Sequence, residues 1–244
     1  MTSPSGKPRI LIVLHQETSS SGKLGHMLRA KGYDLDIRRP RFGDPLPATM
    51  ADHAGAIVFG GPMSANDPDD FVRQEIDWIG VPLREGAPFL GVCLGAQMLV
   101  KNLGGRVCSH REGCAEIGFY PLHPTEAGRR LTEWPAMVYQ WHREGFDLPD
   151  GAQLLARGDL FENQAFSVDD AAIGIQFHSE LTYAMACRWT VRGAERFALP
   201  MAQSRAQQMA GWFRYDPPVR AWLWVFLDTW LAQDRRADFS RRAA

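Results

Sequence analysis

The chain is poor in the features that mark several large classes of protein. Its four cysteines, at 93, 108, 114 and 187, include no Cys-x-x-Cys pair and no framework of a secreted disulfide scaffold, which points to a reducing compartment. Cys108, His110, Cys114 and His123 are near one another, but their spacings match no common zinc pattern, so no metal is expected. Long apolar runs are missing too. The longest, Ala221 to Leu227, is too short to span a bilayer, and Met1 to Lys7 lacks the charged-then-apolar order of a signal peptide. Net charge is nearly absent: 27 basic residues against 28 acidic ones leave −1, which gives no electrostatic case for nucleic acid or a membrane surface as partner. Lysine occurs only at 7, 23, 31 and 101, and the basic tail Arg235, Arg236, Arg241 and Arg242 reads as a solvated end. There is no Gly-x4-Gly-Lys-[Ser/Thr] phosphate loop, which argues against an ATP-using step within the chain. The expectation is a soluble, cytoplasmic protein that meets a small molecule or another protein.

What is present is an alternation of short apolar runs and amphipathic segments. At 244 residues and 45% hydrophobic, the chain suffices for one sizeable core with a modest appendage. Arg9 to Leu14 is nearly continuously apolar, as a strand covered on both faces requires. Ser21 is placed to cap a helix over Gly22 to Lys31, Gly32 to end it, and Tyr33 to Arg38 alternates like a second strand. The pattern repeats with strand Ala56 to Phe59, loop Gly60 to Pro68, a helix near Asp69 to Arg84 and strand Pro88 to Val92. This order predicts an α/β layered fold, a mainly parallel central sheet with helices on both faces. Later segments at Met137 to Trp141, Gln153 to Ala156, Gln164 to Val168 and Ala172 to Phe177 read as strands separated by turns, so part of the sheet is expected to be antiparallel. Beyond Leu181 the strand signal stops. Residues 1–190 are read as one domain, and 191–244 as a helical extension packed on it through its tryptophans. Left unpacked, that Trp-rich helix would be a surface for a second copy of the chain or another partner. Asp216-Pro217-Pro218 is expected to break it, because two prolines remove two amide donors.

Chemistry concentrates in three places. Gly91-Val92-Cys93-Leu94-Gly95 falls where an apolar strand ends and the helical stretch Ala96 to Leu103 begins, the form of a nucleophile elbow. So tight a turn needs small neighbours, and Gly91 and Gly95 are those neighbours. The free amides at a helix N-terminus favour a thiolate at Cys93. The bland alternative is a small buried hydrophobe. A cysteine nucleophile needs a base, and His178 follows directly on strand Ala172 to Phe177, with Glu180 two residues on to hold its ring. Gly60-Gly61-Pro62 follows strand Ala56 to Phe59, and the amides of Gly61 and Leu94 are candidates for an oxyanion hole.

Together Gly60-Gly61-Pro62, Gly91-Val92-Cys93-Leu94-Gly95-Ala96-Gln97 and Gln176-Phe177-His178-Ser179-Glu180 resemble the class I glutamine amidotransferases, in order and separation, over roughly residues 9 to 190. The wording around Gly61 to Asp67 and Gln140-Trp141-His142 is similar to the stand-alone, GMP-synthase-like members. The resemblance implies a flavodoxin-like three-layer fold and a triad of Cys93, His178 and Glu180. It further implies oxyanion donors at Gly61 and Leu94, with Gly60, Gln97, Gln140, Trp141 and His142 lining the substrate pocket. It implies hydrolysis of the glutamine side-chain amide through a γ-glutamyl thioester, with no cofactor and with ammonia passed to a separate synthetase or released. A γ-glutamyl peptide or γ-glutamyl amine hydrolase, and a non-catalytic regulatory or binding protein, are the alternatives. Specificity would reside in the loops Gly61 to Asp67 and Arg111 to Glu116. The sequence departs from the family at Ser179, where proline is usual, which is expected to loosen the His178–Glu180 geometry.

Overall fold

A computed structural model describes residues 6–169 and 171–234. The first half of the chain alternates as read: β1 (Arg9–Val13), α1 (Gly22–Ala30), β2 (Asp34–Arg38), β3 (Gly55–Val58), α2 (Asp70–Arg84), β4 (Phe89–Val92) and α3 (Leu94–Asn102). The second half contains β5 (Val107–Ser109), β6 (Glu116–Pro121), β7 (His123–Pro124), α4 (Glu126–Leu131), β8 (Met137–His142), β9 (Glu144–Phe146), β10 (Gln153–Arg157), β11 (Asn163–Val168), β12 (Ala172–Ile175), α5 (Tyr183–Arg192) and α6 (Arg205–Leu231).

Eight strands form the central sheet in the order β2-β1-β3-β4-β12-β11-β10-β7. The first five run parallel, while β11, β10 and β7 pair antiparallel. Alternation along β1 assigns its residues to two cores. Ile10 and Ile12 pack with Leu24 and Leu28 of α1 and with Val219, Phe226 and Trp230 of α6. Leu11 and Val13 pack on the opposite face with Val72 and Ile79 of α2 and Met98 and Leu99 of α3. This is the expected three-layer α/β arrangement.

Two local expectations are corrected. Ser21 occupies the N-cap of α1, but its side chain makes no capping hydrogen bond: its backbone is already helical (φ −72°, ψ 0°), not the extended form from which a serine hydroxyl reaches the first free amides. More substantially, Pro217 and Pro218 do not break the last helix, which runs through them from Arg205 to Leu231. The acceptors left without amides are the carbonyls of Phe213 and Arg214, on exposed residues where water replaces the lost donors. The other side of the helix carries Trp212, Val219, Trp222, Phe226 and Trp230 into the interior. Complete burial of each large side chain contributes about 2–3 kcal/mol, which outweighs the proline penalty. Lys23 of α1 pairs with Asp216 beside the prolines, and Lys31 with Asp228 at 2.7 Å while lying over the Trp224 ring. The basic tail from Arg235 onward lies outside the described residues. Among the described residues no helix is long and apolar enough to cross a membrane.

Candidate active site

Strand register brings the three motifs together. In the parallel pairs Val58 lies opposite Gly91 and Val92 opposite Ile175, so Gly60, Cys93 and the segment leading to His178 leave adjacent strands at one edge of the sheet. That edge is the carboxyl end of β1, β3, β4 and β12, where open α/β sheets bind ligands. The amide of Cys93 donates to the Ile175 carbonyl at 2.8 Å, and that of His178 to the Tyr139 carbonyl at 2.8 Å, fixing both residues to neighbouring strands.

Cys93 itself has φ 51° and ψ −105°, a backbone conformation that residues with a Cβ rarely adopt. Such strain, about 1–3 kcal/mol, persists only where surrounding structure enforces it. Here the enforcing contacts are close. A Cβ on Gly91 would come 2.5 Å from the Gly95 carbonyl oxygen, and one on Gly95 2.0 Å from that of Val58. The sulfur-bearing residue is thus projected from the mouth of the turn, with 6% of its surface exposed.

His178 Nδ1–H donates to Glu180 Oε1 at 2.7 Å, and both side chains are buried. Among the described residues no oxygen acceptor is bonded to the other ring nitrogen, and Cys93 lines the same cleft as the ring. Burial alone would lower the His178 pKa, but the Glu180 carboxylate and Cys93 outweigh it and hold the imidazolium well above its usual range. The Ser179 substitution has not opened the His178–Glu180 contact. Its residue is wholly buried with an unpartnered hydroxyl. Gly60 lies between His178 and Cys93: a Cβ there would lie 2.8 Å from His178 Cε1 and 3.4 Å from Cys93 Cβ.

Gly61 lies over Leu94, whose Cδ2 would be 3.0 Å from a Cβ at that position. Leu94 opens α3, so its amide has no intrahelical acceptor. The sequence reading missed what holds Gly61. His15, just beyond β1, is fully buried; its Nδ1–H donates to the Gly60 carbonyl at 3.2 Å and its Nε2 meets Glu75 Oε2 of α2 at 2.7 Å. In a trans peptide the C=O and the following N–H point opposite ways, so anchoring the Gly60 carbonyl on His15 turns the Gly61 amide away from His15. Glu75 is 60 residues from His15, and no local spacing reports the pair.

The remaining residues of the expected pocket divide. Gln97 is buried and donates to the Glu144 carbonyl at 2.9 Å and to Gln176 Oε1 at 3.1 Å. With Trp141 and His142 it lines a small cavity of about 50 Å³ that also contacts Gly61, Leu94 and Cys93. The His142 ring is held between the Glu144 carbonyl and Glu116 Oε2, both at 2.9 Å. Gln140 is directed elsewhere: it is wholly buried, donates to Gln164 at 2.6 Å and lines neither cavity at the site. A larger cleft of about 280 Å³ opens on the His178 side of Cys93, bounded by α5 and its neighbours. Away from the site, His110, Glu112 and Cys114 bring donor atoms within 4.8 Å of one another; His123, grouped with them by sequence, instead meets Asp159 at 2.8 Å.

The sequence model of the family Glutamine amidotransferase class-I matches residues 13–186. The chain belongs to this family. It is 29% identical over 239 residues to the glutamine amidotransferase-like protein YfeJ of Salmonella typhimurium, a match covering 90% of this chain and 96% of that one. A glutamine amido transferase from Methylobacillus flagellatus, known from its crystal structure, superposes with a TM-score of 0.86 at 28% identity, over 94% of this chain and 96% of that one. The glutamine-hydrolysing GMP synthase of Thermomicrobium roseum is 38% identical over 135 residues, which is 53% of this chain but 24% of that protein. The class I amidotransferase described here is therefore an enzyme of a glutamine-hydrolysing family, and glutamine amide hydrolysis with ammonia transfer is its general activity.

Proposed function

We propose that this amidotransferase cleaves a γ-glutamyl amide through a thioester on Cys93, with glutamine as the family substrate. The observation that carries the reading is a strained cysteine at a helix N-terminus that lines one cleft with a histidine already bonded to Glu180 at 2.7 Å. Cys93 Sγ, its proton held by His178, attacks the γ-carbonyl carbon and forms a C–S bond. The oxyanion that develops is met by the amides of Gly61 and Leu94, each such donor being worth about 3 kcal/mol in the transition state. As the intermediate collapses, the C–N bond breaks and the His178 proton goes to the departing nitrogen. Water then attacks the thioester, His178 takes its proton, and glutamate is released as sulfur leaves. Glu180 keeps the ring oriented and its charged form stable throughout.

The likeness to a glutamine-hydrolysing GMP synthase, of which this chain matches 24%, supports a synthetase as the acceptor of ammonia, with this chain supplying the glutaminase step. The size of the cleft beside His178 favours a second reading, in which the departing amine is larger than ammonia. Purified protein incubated with glutamine should release glutamate and ammonia in equal amounts, and mass spectrometry of quenched enzyme should find the γ-glutamyl adduct on Cys93. Equal turnover by Cys93→Ala would overturn the proposal.

A further inference from the structure

The two cavities meet at Cys93 and differ in which catalytic group they touch. Gly61 borders both, but the smaller one also contacts Gln97 and Leu94 and does not contact His178, so it is the side on which the acyl half and its oxyanion belong. The larger cleft contains His178 and Glu180. Because His178 protonates the departing nitrogen, that nitrogen and whatever it carries must lie in the larger cleft. A space of about 280 Å³ is far more than ammonia fills.

The charge lining this cleft is unbalanced. Of its two carboxylates, Glu180 is bonded to His178, and Glu195 lies 3.8 Å from Arg196. Arg188 and Arg192 also line the cleft, and neither has an ion-pair or hydrogen-bond partner among the described residues. They stand four apart on α5, on one face of the helix, where like charges repel unless an anion lies between them. Trp189 and Met185 of the same helix add an apolar wall.

We propose that the larger cleft binds the amine half of the substrate, and that this half is a substituted amine bearing a carboxylate, held by Arg188 and Arg192: the enzyme hydrolyses γ-glutamyl amino acids. The inference rests on the thioester reading above and names its substrate class. The net change is amide plus water to glutamate plus the free amino acid. The C–N bond is exchanged for a C–O bond through the Cys93 thioester, and the departing nitrogen receives its proton from His178.

The test compares kcat/KM for γ-glutamylglycine, its neutral counterpart γ-glutamyl-n-propylamide, and glutamine. Wild type should prefer γ-glutamylglycine to the propylamide by at least about tenfold, as expected for one or two charge-assisted contacts. In the double variant Arg188→Met/Arg192→Met that preference should collapse to within about twofold. Charge reversal in Arg188→Glu/Arg192→Glu should shift it towards a γ-glutamyl amide of a diamine, with far-ultraviolet circular dichroism confirming that each variant is folded. Equal turnover of the glycine and propyl amides by wild type, or a preference that survives both double variants, overturns the proposal while leaving the thioester reading intact. Loss of no activity on any amide in Cys93→Ala would overturn the thioester reading instead.

Discussion

Among the described residues three histidines are buried against a glutamate, and one of these rings also lines the cleft beside Cys93. His15 meets Glu75 at 2.7 Å, His142 meets Glu116 at 2.9 Å, and His178 meets Glu180 at 2.7 Å. The difference is on the other side of each ring. His15 faces the Gly60 carbonyl and His142 the Glu144 carbonyl, so in both the second nitrogen is also committed to an oxygen acceptor. His178 has no such oxygen among the described residues and instead lines the cleft that Cys93 also lines. Two rings are therefore struts with both nitrogens engaged by fixed oxygens, and the third is open on one side to the cleft. A buried His–Glu pair alone does not identify a catalytic dyad; the group facing the free nitrogen does.

The sharpest way to break this comparison is to remove the third ring. His178→Ala should lower kcat/KM by about 10³-fold or more, since the thiol loses its base and the departing nitrogen its acid. Steady-state release of glutamate measures it, and a fall of less than tenfold would place the proton transfer elsewhere. Glu180→Gln comes next, with a loss on the order of 10²–10³-fold and a change in pH dependence. In the proposed mechanism the active form carries an imidazolium beside sulfur; burial would lower the pKa of His178, but Glu180 and Cys93 outweigh it and raise the folded value above 6.5. The stabilisation from that charge is therefore fully present below pH 6.5 and lost as pH rises through the raised value. Removing the carboxylate should move the alkaline limb of kcat/KM down towards 6.5. An unmoved limb would show that Glu180 does not set the charge of the ring.

The same operation on the first pair should look different. Glu75→Leu strips a fully buried histidine of its carboxylate, and breaking such a pair costs about 3–5 kcal/mol, or roughly 6–20 °C in Tm. In the folded fraction kcat should fall by about tenfold, as the Gly60 carbonyl loses its anchor and the Gly61 amide its aim. The alkaline limb should stay where wild type has it, because the neighbours of His178 are untouched. Thermal unfolding with a pH–rate profile separates the two pairs; a shifted limb in Glu75→Leu would erase the distinction between strut and base.

What could be read in advance follows the range of the interaction. The elbow around Cys93 and the His178-x-Glu180 pair are local patterns in which the backbone itself dictates glycine or a two-residue spacing, and the parallel order follows from apolar runs alternating with amphipathic ones. His15–Glu75 and His142–Glu116 join residues 60 and 26 positions apart, so each looks like an unremarkable polar residue until the sheet is assembled. Gln140 was expected in the pocket with Trp141 and His142, but although it shares a face of β8 with His142 its amide is taken up by Gln164 and it lines neither cavity. The helix through Pro217 and Pro218 defied a local rule because burial of Trp222, Phe226 and Trp230 is a tertiary quantity. Arg188 and Arg192 were visible as a helical i,i+4 pair, but only the packing of α5 beside Cys93 connects them to the site.

The smallest expected effect concerns the residue between base and carboxylate. Ser179 is completely buried and its hydroxyl has no partner, so it carries a desolvation cost without the hydrogen bond that would offset it. If the spacing of His178 and Glu180 is set by their own 2.7 Å bond and by the His178 amide on Tyr139, the side chain of residue 179 contributes nothing to it. Ser179→Ala should then raise stability by up to about 1 kcal/mol, the hydroxyl's burial penalty being removed at almost constant volume. Meanwhile kcat should stay within about twofold and the alkaline limb should not move, as for any change that leaves the catalytic groups in place. Chemical denaturation and a pH–rate profile on one preparation suffice. A loss of stability together with a downward shift of the limb would mean that the hydroxyl steadies the pair, and that the imidazolium owes its charge to more than Glu180 and Cys93.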